Sequence, residues 1–321
     1  MLDTTIEQLK DRIKQSRLKE ILSDELSSLL SEKPPGVSVD EFITAAAVLI
    51  LKELKGELTS SQPGSANPFP SDIDCETIIN GLLIGMRRDI LESNLQMVKA
   101  LGSAIAERDF GTSEHNLRVT IYAIHLAEQL DLGDNQIQAL IKGSFLHDIG
   151  KIGLRDNTLL KKGQLSDDEF ETVKKHVLLG TRIIQGVRWL EDAASVVQYH
   201  HERWDGSGYV EGLKGEAIPL VARIFTIADV FDALVSERTY KQALPIDEAI
   251  RAMHKDKGKR FDPNLLDAFL RISRDSYTEV VSMNRFGLED TLLKAINRYF
   301  HFSATVDELR SSFGSKSEQQ G

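Results

Sequence analysis

Only one cysteine, Cys75, occurs in 321 residues, so no intramolecular disulfide can form and no multi-thiolate zinc site can be assembled. Basic charge is also in deficit. Lys and Arg number 39 against 49 Asp and Glu, a formal net charge of -10, which argues against the broad basic face needed to bind along a nucleic-acid backbone. An anionic ligand would have to be met by local positive charge, and bound metal ions are one source of it. Long apolar runs are missing as well. The longest, Phe42 to Leu51, includes Thr44 and falls far short of the roughly 20 residues that span a bilayer. The opening MLDTTIEQLKDRIKQSRLKE has no apolar stretch of the signal-peptide kind. These absences predict a soluble, cytoplasmic protein with no membrane insertion and no DNA partner.

The remaining composition, 41% hydrophobic and 27% charged, is that of an ordinary globular chain, and its length favours two domains. From Leu2 to Leu30 apolar residues recur at helical spacing (Ile6, Leu9, Ile13, then Leu18, Ile21, Leu22, Leu26), which predicts one or two amphipathic helices. Pro34-Pro35-Gly36 stops them. Ser38 or Asp40 then caps a further helix over Phe42 to Leu54, although Val48 to Leu51 also fits a buried strand. The stretch TSSQPGSANPFPS, residues 59–71, holds three prolines among Ser, Gly and Asn and reads as a linker. The expected division is an N-terminal regulatory domain, 1–70, mainly helical, and a second domain, 71–321.

In the second domain the pattern is helical throughout: Cys75 to Glu107, Ser113 to Leu130, Asp134 to Ile149, Ser166 to Ile184, Leu190 to His200, Val221 to Ser236, Ile246 to Met253, Asp262 to Arg271 and Leu288 to Phe300. Strand patterns are scarce. The expected fold class is all-α, a helical bundle.

Six of the eight histidines, His115, His125, His147, His176, His200 and His201, fall between positions 115 and 201. His147-Asp148 stands in SFLHDIGKIG, where a continuing helix would carry Lys151 one turn beyond, on roughly the same face. Imidazole nitrogen with carboxylate oxygen suits iron, manganese or zinc, and a carboxylate can bridge two ions; Asp148 is the natural bridge. Lys151, as a protonated ammonium, has no lone pair for a metal and suits a phosphate oxygen. The bland alternative is a helix end where His147 stabilises the last carbonyls. His200-His201-Glu202 opens HHERWDGSGYVEGLKGEAIP, and its imidazoles could serve adjacent metals or simply end a helix against Trp204 and Tyr209. His115 and His176, taken singly, read as satisfied helix histidines. Asp229 lies among apolar neighbours in VARIFTIADVFDALVSERTY; a carboxylate there needs a partner, and a metal ion is one. His125, His254 and His301 fit no ligand arrangement and read as structural.

Taken in order, His115, HDIGK at 147–151, His176, HHExxDGxGY at 200–209, Asp229 in ADVFDAL, RTYKQAL at 238–244 and GKRFDP at 258–263 resemble the HD-GYP family. This is a bacterial branch of the HD-domain metal-dependent phosphohydrolases, whose members typically hydrolyse the signalling dinucleotide cyclic di-GMP. The resemblance covers about half the chain, Leu101 to Ile272. It implies metal ligands at His115, His147, Asp148, His176, His200, His201 and Asp229, with Asp148 bridging two ions. It also implies that Lys151 contacts the scissile phosphate and that Tyr209, Arg238 and Lys241 hold the dinucleotide. The family's triplet is GYP, but here it reads Gly208-Tyr209-Val210. Some members carry a glutamate or tyrosine one turn before the first histidine, where this chain has Gly111; that difference predicts two metals rather than three.

The expected function is hydrolysis of cyclic di-GMP to linear pGpG, and onward to GMP, by a hydroxide activated between two divalent transition-metal ions, iron by preference or manganese. In this family N-terminal regions often sense or regulate, which implies signalling protein partners. Two alternatives stay open: a cyclic di-GMP sensor that keeps the fold and the metal without turnover, and an HD-type hydrolase of another nucleotide.

Overall fold

The computed structural model of the chain describes residues 75–108, 113–161, 163–237 and 242–301. The helices expected within residues 2–54 and the linker at 59–71 lie outside these. Among the described residues there is no strand, only an isolated bridge between Lys257 and Phe261, and no helix is long and apolar enough to cross a membrane. The fold is all-α. The helices are α1 (Cys75–Arg108), α2 (Ser113–Gln129), α3 (Asp134–Leu146), α4 (Asp156–Leu159), α5 (Asp167–Ile184), α6 (Ala194–Tyr199), α7 (Leu220–Val235), α8 (Ile246–Lys255), α9 (Pro263–Ser282) and α10 (Arg285–Tyr299).

Two helices organise the compact unit Ser93–Ser303. Helix α7, LVARIFTIADVFDALV, is apolar almost all round, as an interior helix must be. It buries Ile224, Phe225, Ile227, Ala228 and Phe231 completely and packs against α2, α3, α6, α8 and α9. Helix α2 lies beside it and also meets α3, α9 and α10. Phe231 joins the two through edge-to-face contacts with Tyr122 (5.0 Å between centroids) and with Phe269 of α9 (4.9 Å). Such geometry adds about 1 kcal/mol per pair beyond area burial.

Sequence chemistry sets several helix ends. Ser166 and Glu169 form a reciprocal capping box on α5. The Asp262 carboxylate accepts from the amides of Asn264 and Leu265 just ahead of Pro263, the first residue of α9. Helix α9 runs eleven residues past the expected end at Arg271. Its buried positions keep helical spacing through Ser273, Ser276 and Val280, but two of the three are serine, so the apolar periodicity fades from the sequence while the helix continues.

The expected helix over Asp134 to Ile149 stops at Leu146 and passes into a 3-10 turn, Ile149–Gly153. Gly150 explains the packing there: a Cβ at this position would sit 1.8 Å from the His176 carbonyl and 2.4 Å from the Gly180 amide, so only glycine lets α5 press against the turn. The stretch Leu190 to His200 likewise divides into a 3-10 turn, Arg188–Leu190, and α6.

Candidate metal centre

Helix ends deliver most of the histidines. His147 caps the C-terminus of α3 with Asp148 next to it, and His200 caps α6 with His201 next to it. His115 lies in the first turn of α2, His176 in the middle of α5 and Asp229 in the middle of α7. The bundle brings all seven together. One donor atom each from Asp148, His176, His200 and His201 lies within 4.8 Å of the others, and the same holds for His115, His147 and Asp229. Asp148 faces both groups: its Oδ1 is 3.3 Å from His176 Nε2 and 4.0 Å from His200 Nε2, while its Oδ2 is 3.1 Å from His147 Nε2.

Hydrogen bonds fix which nitrogen points inward. The Nδ1 atoms of His147, His176 and His200 lie 2.8 Å from the Ser144 carbonyl, 2.7 Å from the Val173 carbonyl and 3.0 Å from the Val197 carbonyl. A carbonyl can only accept, so each Nδ1 carries a proton and each ring turns its Nε2 into the site. His176 Nε2 and His200 Nε2 stand 3.3 Å apart. Two lone pairs at that distance repel, and a cation between them satisfies both. Burial holds His176, His200 and His201 in the neutral form: it lowers the pKa of His176, lowers that of His200 much further, and brings His201 down to about 3, with neighbouring histidines adding to the effect. Neutral imidazoles backed by carbonyls are what a divalent ion requires of its ligands, so the residues present fit a metal.

His115 is arranged differently. Its Nδ1 is 2.7 Å from Asp232 Oδ2 and its Nε2 is 3.4 Å from Asp229 Oδ1. Burial lowers its pKa, but the two carboxylates outweigh burial and raise it to about 9. Asp232 is fully buried and also accepts from Arg118 Nε (2.6 Å) and Ser236 Oγ (2.9 Å). Burial works against ionisation of Asp148, yet the Lys151 ammonium beside it holds its carboxyl well below the usual range; His115 does the same for Asp229.

Lys151 Nζ is 2.7 Å from Asp148 Oδ2. The expected approach of these two residues is present, although a 3-10 turn rather than a continuing α-helix produces it. The guanidinium of Arg108 donates to the carbonyls of Lys151 (3.2 Å), Ile152 (2.6 Å) and Leu154 (2.7 Å), gripping that turn from the end of α1. Tyr209 stacks on His201 (4.7 Å between centroids, 28°), and the Tyr209–Val210 peptide bond is cis. A cavity of about 370 Å³ opens beside this pair, with His200, His201, Phe170 and Lys174 in its lining. Arg238, Lys241 and Gly111 lie outside the described residues. His125, expected to be structural, bonds through Nδ1 to Ser276 Oγ at 2.6 Å. His301 pairs with Asp134 at 2.9 Å.

Sequence reasoning missed Asp232 and Arg118. Each lies three residues after a residue it did single out, Asp229 and His115, and so on the same helix face. That spacing was the available signal. Glu202 was quoted in its motif without a role. It is buried, and its Oε1 accepts from the amides of Glu211 (2.7 Å) and Gly212 (3.0 Å), which folds the glycine-rich loop back on itself.

The model of the HD domain family matches residues 89–265, more than half of the chain. The chain belongs to the HD-domain family, and its ordered motifs place it in the HD-GYP branch. It is 41% identical over 191 residues to the cyclic di-GMP phosphodiesterase response regulator RpfG of Xanthomonas campestris pv. campestris, covering 59% of this chain and 50% of that protein. It is 38% identical over 182 residues to a cyclic di-GMP phosphodiesterase of Thermotoga maritima, covering 56% and 50%. With the 3'3'-cGAMP-specific phosphodiesterase 2 of Vibrio cholerae it shares 35% identity over 189 residues, covering 58% and 36%. The chain thus spans about half the length of the first two relatives and about a third of the last.

Proposed function

We propose that this chain is a metal-dependent phosphodiesterase of cyclic dinucleotides, with cyclic di-GMP as substrate and linear pGpG as first product. The observation that carries this reading is the pair of donor groups joined by the two oxygens of Asp148, with three Nε2 atoms turned inward by backbone carbonyls. The similarity to phosphodiesterases of cyclic di-GMP and of 3'3'-cGAMP supports the same substrate class.

In this reading His176, His200, His201 and Asp148 would hold one ion, while His115, His147, Asp229 and Asp148 would hold the second. Mixed imidazole and carboxylate donors would suit iron or manganese, the metals of this reading. When bound, two such ions supply Lewis-acid charge and acidify water towards a pKa of roughly 7. The chain's own groups do the rest. Lys151 places a positive charge beside Asp148, where it meets a phosphate oxygen and offsets charge gathering there. Tyr209, stacked on His201, offers a ring face to a base. His115 would have to give up its proton to serve as a ligand, because a ligating imidazole is neutral at the ligating nitrogen. Arg238 and Lys241 are further contacts to the dinucleotide, by resemblance.

The test is product analysis. Protein loaded with Fe²⁺ or Mn²⁺ is incubated with cyclic di-GMP, 3'3'-cGAMP and linear dinucleotides, and products are identified by mass spectrometry. Linear pGpG is the expected first product. Tight binding with full metal content and no product would replace the enzyme by a cyclic di-GMP sensor.

A further inference from the structure

The cavity beside Tyr209 has a charge pattern that the metal centre does not use. Three cations line it from three separate elements: Lys174 from α5, Arg203 from the loop after α6 and Arg260 from the loop before α9. In a chain of net charge -10 such a convergence needs a reason, because like charges drawn out of water repel one another.

Among the described residues no carboxylate hydrogen-bonds to either arginine. Arg203 Nε is buried without a hydrogen-bond partner, and Asp205 Oδ1 stands 3.9 Å away, itself accepting from the Ser207 amide and hydroxyl at 2.9 and 2.6 Å. Among the described residues no hydrogen bond or ion pair reaches the Arg260 guanidinium. Burial lowers its pKa, and Arg203 adds to this against the opposing pull of Asp229. Lys174 pairs with Glu171 at 2.6 Å, but Glu171 is 65% exposed, so the pair is a screened surface contact that a ligand can replace. Glu202, which also lines the cavity, has Oε1 committed to loop amides, and its buried Oε2, like Arg203 Nε, has no hydrogen-bond partner.

The arrangement is stiff. The Trp204 amide donates to the Arg260 carbonyl (3.2 Å) and the Asp205 amide to the Lys259 carbonyl (2.8 Å), stitching the two arginine-bearing loops together. Lys174 Nζ lies 4.9 Å from the Phe170 ring centre and 5.5 Å from that of Tyr209, so the aromatic faces and the cations share one wall. His200 and His201 belong to the same lining.

Resting on the phosphodiesterase reading above, we propose that Lys174, Arg203 and Arg260 form an anion subsite for the second, unreacting phosphate of a cyclic dinucleotide. The metal centre takes one phosphate and this wall takes the other, so the ring is fixed at two points. Guanidinium groups suit the task because their planar fork matches phosphate oxygens in pairs.

Wild type, R260A and R260K, loaded with Mn²⁺, are assayed on cyclic di-GMP and on bis(4-nitrophenyl) phosphate, a diester with a single phosphate. Binding of cyclic di-GMP to the metal-free proteins is measured by calorimetry. In R260A, kcat/KM should fall by at least about thirtyfold more on the dinucleotide than on the small diester, chiefly through KM, as loss of a charge-assisted pair predicts. The metal-free Kd should weaken by at least about tenfold, and R260K should recover part of both. Equal losses on the two diesters, or a Kd within about twofold of wild type, would overturn the subsite. Wild type that cleaves neither diester would overturn the phosphodiesterase reading, and the binding comparison would still decide the subsite. R203Q, judged by the same measures, replaces R260A if that variant does not fold.

Discussion

Within the two candidate donor groups, His115 is kept in the opposite protonation state from His176, His200 and His201. In the group of Asp148, His176, His200 and His201, carbonyls stand behind two of the imidazoles, and burial keeps all three neutral. In the group of His115, His147 and Asp229, a carboxylate stands behind His115 and a second one faces it, so that without metal the ring is held protonated. The group behind the ring decides. A carbonyl orients an imidazole without charging it, whereas a buried carboxylate orients it and stabilises its cation. The first group is ready for a metal, while the second must give up a proton to receive one.

The largest effect expected is from removing the residues that join the groups. H147A/D148A should lose both metal equivalents and at least about a thousandfold in hydrolysis, while circular dichroism still reports a helical protein. Full metal content in that variant, read by elemental analysis, would end the assignment. D232N should separate the groups. Taking the charge from behind His115 should weaken metal binding at that group by about ten- to a hundredfold and leave the other group near wild type in a metal titration. Equal weakening at both would show that the two behave as one. D232N should also destabilise the fold by about 3 kcal/mol, since it leaves Arg118 charged and poorly paired.

The contrast further predicts a pH dependence confined to one group. Because the folded pKa of His115 is raised to about 9, its contribution to metal-free stability is complete below about pH 6.5, the unfolded value. That contribution drains away as the pH rises through the folded value. Melting temperatures of chelated protein from pH 6 to pH 10, set against H115Q, should show a steeper alkaline decline in wild type; parallel curves would contradict it. The smallest effect lies on the other side of the site. S166A removes one arm of the capping box on α5, the helix that carries His176, and should cost about 1 kcal/mol, visible in melting with metal content unchanged.

Much of this was legible beforehand, and for identifiable reasons. The starts of α5 and α9 follow from Ser166 with Glu169 and from Asp262 with Pro263, signals that act within one turn. All seven residues that the family resemblance implied as ligands, from His115 to Asp229, lie in the two groups, although His115 and His176 taken singly read as satisfied helix histidines. The continuation of α9 over Ser273 and Ser276 could not be read, since serine is buried there only because partners such as His125 lie on another helix. Asp232 escaped for a similar reason: its three donors come from α2 and from the residue after α7, and no local pattern marks a carboxylate as buried.

Residue order alone carried most of the helices, the capping signals of α5 and α9, the order of the motifs and the types of donor atom. These depend on contacts between residues a few positions apart. The tertiary structure alone decided which ring nitrogen faces inward, which histidine carries a proton and which cations share a cavity wall. Each of those depends on what a distant segment places within a few ångströms, and on how thoroughly the surrounding helices exclude water.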